Sequence, residues 1–148
     1  MFLSTRFINK TKPFIFVLLI CIFSDIGGYV IGKSIGGIKL TKISPNKTIS
    51  GSIGSFIFSL FPIILFLLID ELTNNNDFTI HKHNFDKVVI LCLFTCLICQ
   101  LGDLFISYLK RKAKIKDTGN IIPGHGGILD RIDGILLGLP LGIYLISI

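Results

Sequence analysis

Residues Ile49 to Ile69 read ISGSIGSFIFSLFPIILFLLI, without one charged side chain. A membrane-spanning helix needs about 20 predominantly apolar residues, within a range of about 17–25. This run meets that length, and its Pro62 is a residue that membrane helices tolerate. Two further runs qualify on either side. Phe14–Ile31 carries Asp25 and ends in a Gly-rich stretch, while Val88–Gly102 continues past Asp103 through Leu104–Leu109. Both qualify if their acidic residues face protein or water. A fourth run, Gly134–Ile148, is short, so it must be tilted, extended backwards or partly re-entrant. The expected architecture is an all-α integral membrane protein, one domain over residues 1–148. It has about four transmembrane helices and a polar cleft facing the cytoplasm.

Composition agrees. Of 148 residues 51% are hydrophobic and only 16% charged, where a soluble domain carries about 25% charge. Mean hydropathy is +0.76. The formal net charge of +6 suits nucleic acid, anionic lipid or a phosphorylated substrate. Nucleic acid is excluded because the basic residues sit beside apolar spans. Cys21, Cys92, Cys96 and Cys99 all fall inside apolar runs, and Cys96 and Cys99 have neither a second CxxC nor a nearby histidine. They read as small hydrophobes. His81 and His83 find no third ligand nearby and read as a solvated loop.

Arg6, Lys10 and Lys12 ahead of Pro13–Phe23 have the order of a signal peptide, but Ser24-Asp25-Ile26-Gly27 is a poor cleavage site. An uncleaved span is expected. The loop after span one holds Lys33, Lys39, Lys42 and Lys47, and the loop after span three holds Lys110, Arg111, Lys112, Lys114, Lys116 and Arg131. The loop between them is dominated by Asp70, Glu71, Asp77 and Asp86. The positive-inside rule puts residues 32–50 and 107–133 on the cytoplasmic side; the membrane expected is a bacterial inner membrane. The Arg6, Lys10 and Lys12 cluster falls on the opposite side, which leads us to expect further spans, or a partner chain, ahead of this segment.

The chemistry concentrates between Gly102 and Asp133. Asp103 interrupts an apolar run, where an ionised carboxylate is costly unless paired or metal-bound. Asp130 and Asp133 stand at i, i+3 and share a helix face. Between them lie the basic cluster, Asp117-Thr118-Gly119 and Pro123-Gly124-His125-Gly126-Gly127. Glycines at that density let backbone N–H groups approach phosphate. Carboxylates hold Mg²⁺ and basic side chains neutralise phosphate charge, the parts needed for metal-assisted phosphoryl or nucleotidyl transfer. A polybasic patch for anionic lipid accounts for the lysines alone, but not for the acids and the His-Gly-Gly. An ion pathway lined by Asp25, Asp103 and Asp130 gains nothing from a dense cationic loop at its mouth.

The segments Ser107-Tyr108-Leu109-Lys110-Arg111, Lys116-Asp117-Thr118-Gly119, Ile122-Pro123-Gly124-His125-Gly126-Gly127-Ile128 and Asp130-Arg131-Ile132-Asp133 together resemble the signature of the phosphatidate cytidylyltransferase family. Upstream, Ser24-Asp25-Ile26-Gly27-Gly28-Tyr29 with Gly32-Lys33 resembles that family's DTGAY…GR segment. Ile43-Ser44-Pro45-Asn46-Lys47-Thr48 with Gly51 resembles its ISPKKTWEG segment. The likeness covers nearly the whole chain but only the C-terminal catalytic half of a full-length member. Ile49-Ser50 replaces a customary Trp-Glu, and Ile106 a customary Glu.

The resemblance implies transfer of the cytidylyl group of CTP to phosphatidic acid, giving CDP-diacylglycerol and pyrophosphate. It implies Asp103 and Asp130 as Mg²⁺ ligands, with room for a second cation. Lys110 and Arg111 join them as catalytic residues, with Ser107 and Lys116 on phosphates and Ser44 and Lys47 as further candidates. Asp117 would orient a lysine or contact the nucleotide, and Asp133 would be a further ligand or support one. His125 has two readings, a hydrogen bond to phosphate or a structural part in the turn. Asp25 has two as well, closing the polar cavity or bonding between helices. The alternatives are a CTP-dependent transferase acting on another membrane lipid, or a degenerate, non-catalytic membrane subunit. A homo-oligomer or a partner supplying N-terminal spans is a further expectation.

Overall fold

In the computed structural model of the chain, the backbone is described for residues 11–41, 44, 47–73, 85–115 and 129–147. Side chains are described for these residues except 11, 12, 70, 71, 73, 129–133 and 147. Five helices follow one another within them: α1 (Thr11–Ile35), α2 (Ile49–Phe58), α3 (Phe61–Thr73), α4 (Phe85–Lys112) and α5 (Leu129–Ser147). Pro13–Ile35, Ile49–Ile69 and Phe85–Lys112 are each long and apolar enough to cross a bilayer. The chain is therefore an all-α integral membrane protein. The fourth run is extended backwards, since α5 begins at Leu129, although its apolar part is only Gly134–Ile146. Pro140 lies inside α5, as membrane helices allow.

The second span is two helices rather than one. Ser59 and Leu60 form a turn between α2 and α3, and the Ser59 hydroxyl donates to the Phe56 carbonyl at 2.7 Å. Pro62 falls in the first turn of α3, where a missing N–H leaves no helical bond unmade. The start of α2 is set by Thr48, whose extended backbone and side-chain oxygen make it an N-cap accepting from the Gly51 N–H at 3.1 Å.

α1 and α2 approach until backbones touch. A methyl group added to Gly54 would lie 2.8 Å from the Gly27 carbonyl oxygen and 2.6 Å from Ile31 Cβ. One added to Gly51 would lie 2.7 Å from the Gly28 oxygen. Small residues permit this packing, which drives helix association where lipid removes the hydrophobic incentive.

Phe16, Val17 and Ile20 of α1 pack with Ile63 of α3, Val88, Leu91 and Cys92 of α4, and Ile146 of α5. Phe16 meets Phe66 edge to face, ring centroids 5.1 Å apart. These residues lie in the first half of α1 and α4 and the last turns of α5, so the apolar core fills one end of the bundle. The other end holds the later turns of α1 and α4 and the beginnings of α2 and α5.

Candidate active site

At that other end, the chain leaving α1 turns through Gly36 and Gly37, at φ 64° and 104°, values that suit residues without a side chain. It then folds back as a narrow hairpin. Leu40 N–H donates to the Lys47 carbonyl at 2.8 Å, Ile49 N–H donates to the Ile38 carbonyl at 3.0 Å, and Lys39 bridges Thr48 antiparallel. Ser50 closes the base, its hydroxyl donating to the Gly36 carbonyl at 2.5 Å. A serine where the family resemblance led us to expect Glu therefore has a structural use here. The returning arm carries Ser44, whose N–H donates to Thr41 Oγ1 at 3.2 Å and whose carbonyl accepts from the Lys47 N–H at 3.1 Å.

The hairpin delivers Lys47 to Asp103. The ammonium forms a salt bridge with Asp103 Oδ2, both side chains about a quarter exposed. One turn along α4, the Ser107 hydroxyl lies 3.4 Å from Asp103 Oδ1, a long hydrogen bond. α5 closes the third side at Gly134. A methyl there would stand 3.8 Å from Asp103 Cβ and 3.9 Å from Asp25 Oδ1. Asp25 of α1 and Asp103 of α4 thus flank the same backbone position. Both readings of Asp25, at a polar cavity or bonding between helices, fit this placement.

Asp133 precedes Gly134, and Asp130 stands four residues before it, a spacing that puts positions 130 and 134 on one helix face. The side chains of Asp130 and Asp133 lie outside the described residues, as do Lys116, Asp117 and His125 altogether. Lys110 and Arg111 occupy the last turn of α4, a favourable place for cations. The helix ends there in a two-bond cap: Ile115 N–H reaches the Lys110 carbonyl and Lys114 N–H the Arg111 carbonyl, both at 3.0 Å. Lys114 holds the left-handed position, φ 56°, that such caps usually give to glycine.

Beneath this mouth runs a polar seam that sequence reading missed. The Ser52 hydroxyl of α2 donates to Gln100 Oε1 at 2.5 Å, and Gln100 Nε2 lies 3.4 Å from both the Ser52 carbonyl and Cys96 Sγ. Ser24 Oγ touches Cys96 Sγ at 3.2 Å, and Cys21 Sγ lies 2.7 Å from Cys99 Sγ. All four cysteines are free thiols buried between helices. They are small packing residues, as expected, but they face the bundle interior. Gln100 was legible in principle, as the one amide in an apolar run.

Carboxylates from two spans, a paired lysine and a basic helix end thus lie together at one end of a membrane bundle. A model of the cytidylyltransferase family matches the chain over residues 1–148. The chain belongs to that family. Among similar cytidylyltransferases, the phosphatidate cytidylyltransferase of Rickettsia bellii is 43% identical over 155 residues, covering 97% of this chain and 63% of that protein. That of Bacillus subtilis is 39% identical over 137 residues, covering 91% and 48%, and that of Rickettsia felis 40% over 146, covering 95% and 61%. The chain therefore spans about half to two thirds of the length of these curated cytidylyltransferases.

Proposed function

We propose that this chain transfers the cytidylyl group of CTP to phosphatidic acid, releasing pyrophosphate and forming CDP-diacylglycerol in a bacterial inner membrane. The observation that supports this most is the convergence of Asp25, Asp103 and the start of α5 around Gly134, with Lys47 drawn onto Asp103. The relatives' names supply the reaction, and this end of the bundle supplies groups suited to it.

The acceptor is a phosphate monoester, whose second pKa of about 6 leaves it largely dianionic at neutral pH. It can attack the α-phosphorus without a general base. The protein's contribution is then to hold two polyanions in line and to offset their charge. Ser107, Lys110 and Arg111, on the last turns of α4, take phosphate oxygens in this reading. Ser44 and Lys47 stand on the hairpin, and the family resemblance adds Lys116, Asp117 and His125 from the segment after α4. With those loops cytoplasmic, CTP enters from the aqueous side while the acyl chains stay in lipid.

Mg²⁺ fits the donors. Among the described residues no three acidic, histidine or cysteine side chains form a cage for a metal. Mg²⁺ does not require one, because it is commonly held by one or two carboxylates with water and substrate phosphates. Asp103 and Asp130 would hold it, with Asp133 a further ligand or a support for one, and when bound it would neutralise charge on the triphosphate.

The test is release of labelled pyrophosphate from CTP by the purified chain in micelles containing phosphatidic acid and Mg²⁺. Release that depends on phosphatidic acid and disappears in Asp130→Asn supports the reading. CTP binding without release points to a non-catalytic subunit, and release with a different lipid acceptor points to another transferase.

A further inference from the structure

Lys47 is fixed to the hairpin by its backbone and to Asp103 by its side chain. Its carbonyl accepts from Leu40, its N–H donates to Ser44, and the next residue caps α2. The main chain is thus held on both sides, while four methylenes leave the ammonium free to swing. Asp103 is the carboxylate to which the proposed reaction assigns the divalent cation, and Lys47 already sits on its Oδ2. Among the described side chains beside Asp103, Ser107 is neutral and Asp25, which stands with Asp103 at Gly134, is itself acidic.

An ammonium and a divalent cation cannot share one carboxylate without repelling each other at close range. An incoming triphosphate, by contrast, brings several negative charges to the same mouth and offers the displaced ammonium new partners.

We infer that Lys47 is an exchangeable counter-ion of Asp103. It neutralises the carboxylate in the resting site, gives it up to the divalent cation, and moves onto the phosphates that arrive with the nucleotide. Cation and nucleotide binding are thereby coupled through one side chain, and an unpaired carboxylate is never left near the membrane. The inference rests on the proposed cation site at Asp103, and its test separates the two.

The full chain in detergent is treated with a water-soluble amine-acylating ester, and the modification of each lysine is followed by mass spectrometry. Mn²⁺ binding is measured in parallel by electron paramagnetic resonance. Lys47 acylation is expected to rise about fivefold on adding Mg²⁺, the factor a partly exposed ion pair can withhold. Lys33 and Lys39 should not change, and CTP added with Mg²⁺ should protect Lys47 again. In Asp103→Asn, Lys47 should react rapidly with or without Mg²⁺. If Mn²⁺ binds while Lys47 reactivity ignores Mg²⁺, the exchange is overturned and the cation site survives. If Asp103→Asn leaves Lys47 as protected as before, the exchange is likewise overturned. If no Mn²⁺ binds at all, the cation site falls and the exchange with it.

Discussion

The two ends of the bundle are built from the same four segments and obey opposite rules. At one end Phe16, Val17, Ile20, Ile63, Val88, Leu91, Cys92 and Ile146 close on one another without a charge among them. At the other, the same helices bring Asp25, Asp103 and Gly134 together, and a hairpin sets Lys47 on Asp103. α4 shows the change within one element, from buried Val88 and Cys92 through Gln100 to Asp103 and the Lys110–Lys112 turn. The charged end is tolerable because the apolar end and the glycine contact of α1 with α2 hold the helices in place. Damage at the two ends should therefore look different, with chemistry lost at one and folding at the other.

The largest expected effect is at the mouth. Asp103→Asn should lower the turnover rate by about 10²–10³-fold, the range for removing one preorganised electrostatic group. Its thermal transition in detergent should stay close to that of the parent, and a collapse of the transition instead would make Asp103 a structural residue. Next comes the contact that aligns the spans. Gly54→Val forces a side chain against the Gly27 carbonyl and Ile31, so it should cost ~1–3 kcal/mol and appear as early thermal aggregation. Normal stability in that variant would show that α1 and α2 can separate freely.

A gain is expected at the end of α4. Lys114→Gly relieves a left-handed residue in the cap and should stabilise by ~1 kcal/mol, read as a higher midpoint of thermal unfolding. The smallest effect belongs to the seam between the two ends. Ser52→Ala removes the hydroxyl bonded to Gln100 and should cost ~0.6 kcal/mol, the average for an interhelical hydrogen bond in a membrane. A loss comparable to that of Gly54→Val would move the boundary between scaffold and site down to Gln100.

The apolar end was legible in the sequence because the signal is collective: runs such as Ile49–Ile69 specify a span whatever their detailed packing. The break at Ser59–Leu60 was not, since one serine bonding back to the Phe56 carbonyl leaves the hydropathy of the run unchanged. At the charged end, Asp103 stood out because a lone acid in an apolar run is expensive. Its pairing with Lys47 did not, because it depends on a hairpin held by main-chain hydrogen bonds, which any residues between Gly37 and Thr48 other than proline can make. Asp25 was read with two meanings, and its place beside Gly134, where α1, α4 and α5 meet, suits both. Gln100 and Ser52 carried no charge to announce them.

The most direct test of the account follows the label of CTP into lipid. The purified chain is incubated with phosphatidic acid, Mg²⁺ and CTP labelled at either the α- or the γ-phosphate, and the organic phase is counted. Cytidylyl transfer predicts that the α-label enters the lipid and the γ-label leaves as pyrophosphate. Entry of the γ-label instead would mean phosphoryl transfer to the lipid, and would contradict the function proposed for this site.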